Sequence, residues 1–241
     1  MGWSMSAKAL SALPFVSIAG WSGFVVMARS QAKNPPRGYN FITGSMDDVM
    51  SDTLKTGDLI LFRRNCAYMQ PMDGLGCFLT SQVDQWKSQF NHCGFILVNH
   101  VGDKFVVEET YSGVKCRPYS ARILTSLSTD IVVVPLRVKR TKEMEAAAAQ
   151  FVQENLNRPS RYSLSTVLNQ LASPGKTKNS PVFPAAGLIA EAYQSMGLLP
   201  VEPNKGYISP ATCTIKDWSN FSRLNLLQDA QFDRRLQIRL L

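Results

Sequence analysis

The chain has 241 residues, 45% of them hydrophobic, which is enough for one large or two small domains with a sizeable core. Its net charge of +8 suits nucleic acid, anionic lipid or an acidic protein partner, or simply a solvated basic surface. No run of Lys and Arg is interleaved with aromatic residues, which argues against nucleic acid as a partner.

The first segment, residues 9–28, consists of 20 uncharged and mostly apolar residues. This length just spans the hydrocarbon core of a bilayer, about 30 Å thick, so residues 1–30 are predicted to form an N-terminal transmembrane helix. Basic residues are more frequent after the segment than before it, which predicts a globular part on the positive-inside side. No acidic residue precedes Asp47 and serine is frequent, which favours mitochondrial import. A buried soluble helix is the alternative.

Residues 31–44 contain the sequence NPPRG and are predicted to form an extended linker. A globular domain is predicted for residues 45–218, with Ser45 capping its first helix. The predicted strands are residues 58–63, 93–98, 104–108, 113–116 and 131–137, and the predicted helices are residues 77–89, 142–156 and 185–196. Strands adjacent in sequence, with helices at both ends, predict the α+β class, an antiparallel sheet with packed helices.

Residues 219–241 are predicted to form a C-terminal amphipathic tail. Phe232, Leu236 and Leu240 fall along one side of a helix, with arginines elsewhere. Such a helix suits docking on a partner or on anionic lipid headgroups. The alternative is a tail that folds back on its own domain.

The five cysteines are Cys66, Cys77, Cys93, Cys116 and Cys213. Their number is odd and no Cys-x-x-Cys pair occurs, so free thiols in a reducing compartment are expected instead of a disulfide framework or a zinc site. Only two histidines occur, His92 and His100, so any imidazole chemistry must use one of them. No cofactor and no metal site are expected.

Four short motifs follow one another along residues 47–218: LKTGDLIL at 54–61, NHCGFIL at 91–97, VVEETYSGV at 106–114 and LIAEAY at 188–193. Their order and spacing resemble the circularly permuted papain-like branch of the NlpC/P60 superfamily, the YiiX-like hydrolases. The resemblance implies a papain-like domain with a cysteine nucleophile at the start of the late helix. It also implies a histidine base on a strand and a polar residue on the next strand.

The positions that the resemblance assigns to these roles are His92, Glu108 and, for the nucleophile, Ala185. A methyl side chain has neither a lone pair nor a proton, and loss of the nucleophile lowers the rate on the order of a millionfold. His92 is therefore predicted to be a satisfied structural histidine. No active catalytic residue is expected.

The sequence thus predicts a catalytically inactive papain-like domain that serves as a membrane-anchored structural accessory subunit of a multiprotein complex. Membrane protein subunits and membrane lipid are the expected partners. The expected setting is the mitochondrial inner membrane, in an ATP synthase or a respiratory complex, with the globular domain on the matrix side. One alternative is a cysteine hydrolase or acyltransferase that uses a relocated thiol, for which Cys66, Cys77 and Cys93 are the candidates. Another is a lipid- or peptide-binding module that uses the cleft vacated at residues 185–187.

Overall fold

The computed structural model of the chain describes residues 7–32, 41–83, 89–172, 183–201, 210, 213–220 and 224–240. The strands are β1 (Leu59–Arg64), β2 (His92–Val98), β3 (Lys104–Thr110), β4 (Gly113–Pro118), β5 (Ser128–Val134), β6 (Leu136–Arg137), β7 (Gln231–Phe232) and β8 (Leu236–Leu240). The helices are α1 (Ala7–Ala32), α2 (Met46–Thr53), α3 (Pro71–Val83), α4 (Tyr119–Leu124), α5 (Lys142–Asn155), α6 (Leu164–Ala172), α7 (Pro184–Ser195) and α8 (Ile215–Asn220), with a 3-10 helix at Cys66–Tyr68.

Six of the strands form one antiparallel sheet in the order β4-β3-β2-β1-β5-β8, and β6 pairs with β7. Helices pack on both faces of this sheet. The predicted α+β class, an antiparallel sheet with packed helices, is confirmed.

The sheet separates two hydrophobic cores because successive side chains of a strand point to opposite faces. On one face, which we call the α7 face, Leu61, Cys93 and Phe95 pack against α5, α7 and α8. On the other, the α4 face, Phe62 and Ile96 pack with residues of α4. Because both faces of β2 are covered, the strand reads as an almost continuous apolar run.

Two of the helices predicted for the globular domain, 142–156 and 185–196, form almost as expected. The side chain of Thr141 caps α5 by accepting a hydrogen bond from the Met144 amide, and α5 ends at Asn155. Pro184 begins α7, and Gly197 follows its end with φ of +71°. The indole of Trp218 donates to the Ala186 carbonyl at 3.1 Å, which fixes the first turn of α7 against α8.

Other elements differ from the sequence prediction in bounds or in existence. Ser45 caps α2 as predicted, whereas α3 begins six residues earlier than the predicted helix 77–89, of which residues 84–88 lie outside the described part. The short helices α4, α6 and α8 were not predicted. Helices of this length are marginal by themselves and form because tertiary packing stabilises them.

The prediction of an amphipathic helix in the C-terminal tail is wrong. The tail forms β7 and β8, and β8 extends the sheet by pairing with β5. The ring of Phe232 lies 6.3 Å from both the Tyr193 and Trp218 rings, and Ile238 is 6% exposed in the α4-face core. The sequence LQIRL alternates apolar and polar residues, which is typical of a strand. The tail therefore folds back on its own domain.

The predicted N-terminal transmembrane helix is not supported. Residues 7–32 are helical, but no described helix is long and apolar enough to cross a membrane. The helix α1 instead docks on the 3-10 helix: the Trp21 indole donates to the Ala67 carbonyl at 2.6 Å, and Phe24 stacks on Tyr68. Of the predicted linker 31–44, residues 33–40 lie outside the described part of the chain.

If the tail is a strand of this sheet, Ile238→Ala should lower the free energy of unfolding by about 2 kcal/mol, because it removes buried methyl groups from the α4-face core. The matched control is Arg234→Ala in the same tail, where the side chain is exposed and a change within about 0.5 kcal/mol is expected. Urea unfolding of both variants measures the difference. Equal stabilities would contradict the strand.

Candidate functional site

His92 and Glu108, which the family resemblance assigns to one site, lie side by side on the α4 face. His92 begins β2 opposite Phe62 of β1, and its Nε2 lies 2.6 Å from Oε2 of Glu108 on β3. Gly94 makes room for this contact. A Cβ at Gly94 would lie 2.6 Å from the Val107 carbonyl oxygen and 3.3 Å from the Glu108 Cβ. The close approach of β2 and β3 therefore requires glycine at position 94, two residues after His92.

The buried Glu108 carboxylate is the acceptor for three side chains. Arg122 of α4 donates through Nε to Oε1 at 2.6 Å and through Nη2 to Oε2 at 3.1 Å. Arg117 of β4 also donates to Oε1, and His92 donates to Oε2. The Arg122 guanidinium lies over the Phe62 ring, 4.1 Å from its centroid. This buried cluster connects β1, β2, β3, β4 and α4.

The imidazole of His92 is neutral in this cluster. Burial alone raises the pKa of Glu108, but Arg122, the hydrogen bond from His92 and Arg117 outweigh it and hold the pKa well below its ordinary value. Burial, reinforced by the charge of Arg64, lowers the pKa of His92 to about 3 despite its contact with Glu108. The 2.6 Å contact is therefore a hydrogen bond donated by a neutral ring, not an ion pair. His92 Nδ1 is buried without a hydrogen-bond partner in the described residues.

Two of the five cysteines are joined, so the expectation of free thiols is wrong for them. Cys66 and Cys77 form a disulfide between the 3-10 helix and α3. The Asn91 amide lies within 3.9 Å of both sulfurs, one residue before His92. The two cysteines are eleven positions apart in the sequence, and the packing of the 3-10 helix against α3 brings their Cα atoms to 5.6 Å. Neither is available as a relocated thiol in this state.

The three free cysteines lie on the side of the sheet opposite His92. Cys93 and Cys213 are part of the α7-face core, and Cys116 packs against it. Burial raises the pKa of the Cys93, Cys116 and Cys213 thiols above the ordinary value. An activated nucleophile needs the reverse, a lowered pKa and an adjacent imidazole. None of the five cysteines has both in this structure.

Ala185, the predicted nucleophile position, is not brought to His92. Ala185 is buried in the α7-face core together with Cys93, so the sheet lies between it and the His92–Glu108 pair. Ala186 and Gly187 are also buried, and the Trp218 indole donates to the Ala186 carbonyl. The expected vacated cleft at residues 185–187 is therefore filled by the core.

A second buried carboxylate, missed from the sequence, anchors α7. Glu109 of β3 accepts from Arg161 Nε at 3.0 Å and Nη2 at 2.7 Å. Arg161 also binds Glu191 of α7, and Arg158 donates to Glu191 at 3.1 Å. The adjacent residues Glu108 and Glu109 thus form ion pairs on opposite faces of the sheet, because successive side chains of a strand point to opposite faces.

A cleft of about 490 Å³ lies on the α4 face, and Glu108 is part of its lining. It extends from the end of β1 and the 3-10 helix across the β3–β4 hairpin to the loop after α4. The lining residues are Arg64, Asn65, Tyr68, Met69, Asp73, Glu108, Thr110, Tyr111, Ser112, Lys115, Arg117, Arg122, Thr125, Ser126, Leu127 and Ser128. The sequence feature that could have indicated this cleft is the pair Lys115 and Arg117, two basic residues spaced to share one face of β4. No group of His, Cys, Asp or Glu in the described residues is arranged to hold a metal ion.

Comparison with known proteins adds little to this geometry. No protein-family model matches the chain, and no curated protein matches it. One similar solved structure is the crystal structure of the metalloprotein YiiX from Escherichia coli O157:H7 (DUF1105), with 17% identity and a TM-score of 0.39. The match covers 76% of this chain and 98% of YiiX. At this level of similarity we take no activity from YiiX.

The neutral state of His92 predicts a specific dependence of stability on pH. The unfolded chain binds a proton at His92 below the ordinary value of 6.5, whereas the folded chain does so only near 3. Between about pH 7 and pH 5 this difference should lower the free energy of unfolding by about 2 kcal/mol. The decrease should disappear in His92→Gln, whose amide can still donate to Glu108.

The matched control is His100→Gln in the exposed β2–β3 turn, which should keep the decrease. Urea titrations of the three proteins at both pH values measure it. The neutral-imidazole assignment is wrong if His92→Gln shows the same decrease as the unsubstituted chain.

Glu108→Gln should lower the free energy of unfolding by about 3 kcal/mol, because it leaves the buried Arg122 without its counter-charge. Glu154→Gln, an exposed carboxylate on α5, is the control and should change it by less than about 0.5 kcal/mol. Similar losses in both variants would show that the buried cluster contributes no more than surface charge does.

Proposed function

We propose that this chain is a non-catalytic accessory subunit of a membrane-associated protein complex, which binds partners and performs no thiol chemistry. The observation that carries the proposal is the separation of the reactive groups. The free cysteines Cys93, Cys116 and Cys213 lie on the α7 side, and His92 lies on the α4 side.

The protonation states support the same proposal. Thiol catalysis needs a thiolate made by a neighbouring base. In this chain burial keeps the free thiols protonated. The Nε2 proton of His92 is donated to Glu108, and the ring is fully buried. The pair that resembles a catalytic base and its orienting acid is thus better suited to holding strands together.

The N-terminal helix α1 supports an attachment role. Trp21 and Phe24 fasten one side of α1 to the 3-10 helix. Ile18, Val26 and Met27, on the remainder of the helix, are 50%, 59% and 56% exposed. Several large apolar side chains exposed on one helix are typical of an interaction surface. We propose that an apolar helix of a membrane protein subunit packs against these residues.

The setting that we propose is the mitochondrial inner membrane, in an assembly such as an ATP synthase or a respiratory complex. The reason is that residues 1–46 lack acidic residues and include several serines, as import sequences do. The Cys66–Cys77 disulfide is typical of an oxidising compartment. It therefore favours the oxidising side of that membrane for the globular domain over the matrix side expected from charge.

The full chain is expressed in its native cells with a photo-crosslinking amino acid at position 26. This variant should give adducts with membrane protein subunits. The same amino acid at position 101, also exposed and apolar but in the β2–β3 turn, should not. Mass spectrometry of the adducts identifies the partners. Equal yields at both positions, or none at position 26, would contradict the attachment surface.

The absence of thiol chemistry has its own test. The purified chain, treated with electrophilic ester and amide probes, should show no labelling that depends on His92. Labelling of one cysteine in the unsubstituted chain that disappears in His92→Gln but persists in His100→Gln would refute the non-catalytic role.

A further inference from the structure

The cleft on the α4 face carries more positive charge than its own acids neutralise. Its lining has four cationic side chains, Arg64, Lys115, Arg117 and Arg122, and two carboxylates, Glu108 and Asp73. Arg122 and Arg117 already donate hydrogen bonds to the Glu108 carboxylate. The charge that remains for a ligand therefore comes mainly from the other two cations.

Lys115 lies directly opposite Glu108 in the β3–β4 register, yet it forms no ion pair in the described part of the chain. The reason is that donors from His92, Arg117 and Arg122 already occupy both Glu108 oxygens. The half-buried side chain of Lys115 thus lines the cleft without an ion-pair partner among the described residues.

Arg64 lies on another wall of the same cleft, at the end of β1. Its guanidinium lies 5.9 Å from the centroid of the Tyr111 ring, and Nη2 donates to the Asn91 carbonyl at 3.4 Å. No carboxylate among the described residues pairs with it. Arg64 and Lys115 thus line one cleft and form no ion pair with a described carboxylate, which suits a ligand that carries two negative charges at one end.

The remaining lining suits a phosphate group attached to an organic part. Ser126 in the loop after α4 and Ser128 at the start of β5 bring hydroxyl groups, and Thr110 and Ser112 bring them from the hairpin. Tyr68, Met69, Tyr111 and Leu127 add apolar and aromatic surface on the other sides. A volume of about 490 Å³ lies within the range of small-molecule sites.

We propose that this cleft binds a phosphate monoester, with Arg64 and Lys115 as the charge partners of the phosphate. The organic group lies toward Tyr68 and Tyr111. The phosphate belongs either to a soluble molecule or to a lipid headgroup, and the chemistry of recognition is the same for both. This inference does not depend on the accessory role proposed above, because it concerns a different surface from α1.

Titration calorimetry of the full chain in phosphate-free buffer tests the site with two probes. Glycerol 3-phosphate represents the soluble source. Vesicles of phosphatidylcholine containing phosphatidic acid represent the lipid source, and vesicles of phosphatidylcholine alone are their control. We expect saturable binding of at least one probe. Binding of glycerol 3-phosphate without binding of the phosphatidic acid vesicles indicates a soluble ligand, and binding of those vesicles indicates that the site also accepts a lipid headgroup.

Lys115→Gln and Arg64→Gln should each weaken that binding about tenfold or more, as loss of a charge-assisted hydrogen bond does. Lys139→Gln removes the same charge from an exposed position outside the cleft and should leave the affinity unchanged. Thermal unfolding verifies that each variant is folded. The proposal is overturned if neither probe binds, if acetate binds as tightly as the phosphate ester, or if Lys139→Gln weakens binding as much as Lys115→Gln.

Discussion

The fold depends on the burial of one carboxylate, that of Glu108. Transferring a carboxylate out of water costs several kcal/mol unless it is paired and hydrogen-bonded. Here the compensating donors come from three different elements: His92 on β2, Arg117 on β4 and Arg122 on α4. A charge that requires partners from so many elements also restricts their relative positions. The cluster therefore specifies how the β2–β3–β4 part of the sheet and α4 fit together.

The same cluster explains why the pair His92–Glu108 can resemble a catalytic site and yet suit a structural role. Strand geometry sends His92 and its neighbour Cys93 to opposite faces of the sheet. The helix that begins at Pro184 packs on the Cys93 face, where Glu109 and Arg161 anchor it. The thickness of the sheet thus separates the α7-face core from the imidazole.

The 3-10 helix Cys66–Tyr68 links the two surfaces that we propose for binding. One side receives the N-terminal helix through the Ala67 carbonyl and the Tyr68 ring, and the Tyr68 side chain also lines the basic cleft. The disulfide to Cys77 fastens this short element to α3. A three-residue helix has little stability by itself. Its cross-link therefore stabilises both the attachment of α1 and one wall of the cleft.

Local patterns in the sequence were sufficient for the α+β class, the strands from β1 to β5, and helices such as α5, because strand alternation, caps and prolines act over a few residues. The pairing of His92 with Glu108 came from the family resemblance of the motifs and not from local patterns. Residues far apart in the chain decided the rest: the Cys66–Cys77 disulfide, the strand that the tail adds to the sheet, and the face on which Ala185 lies. A face of a sheet or a contact between distant segments exists only after the chain has folded, so tertiary packing alone determined them.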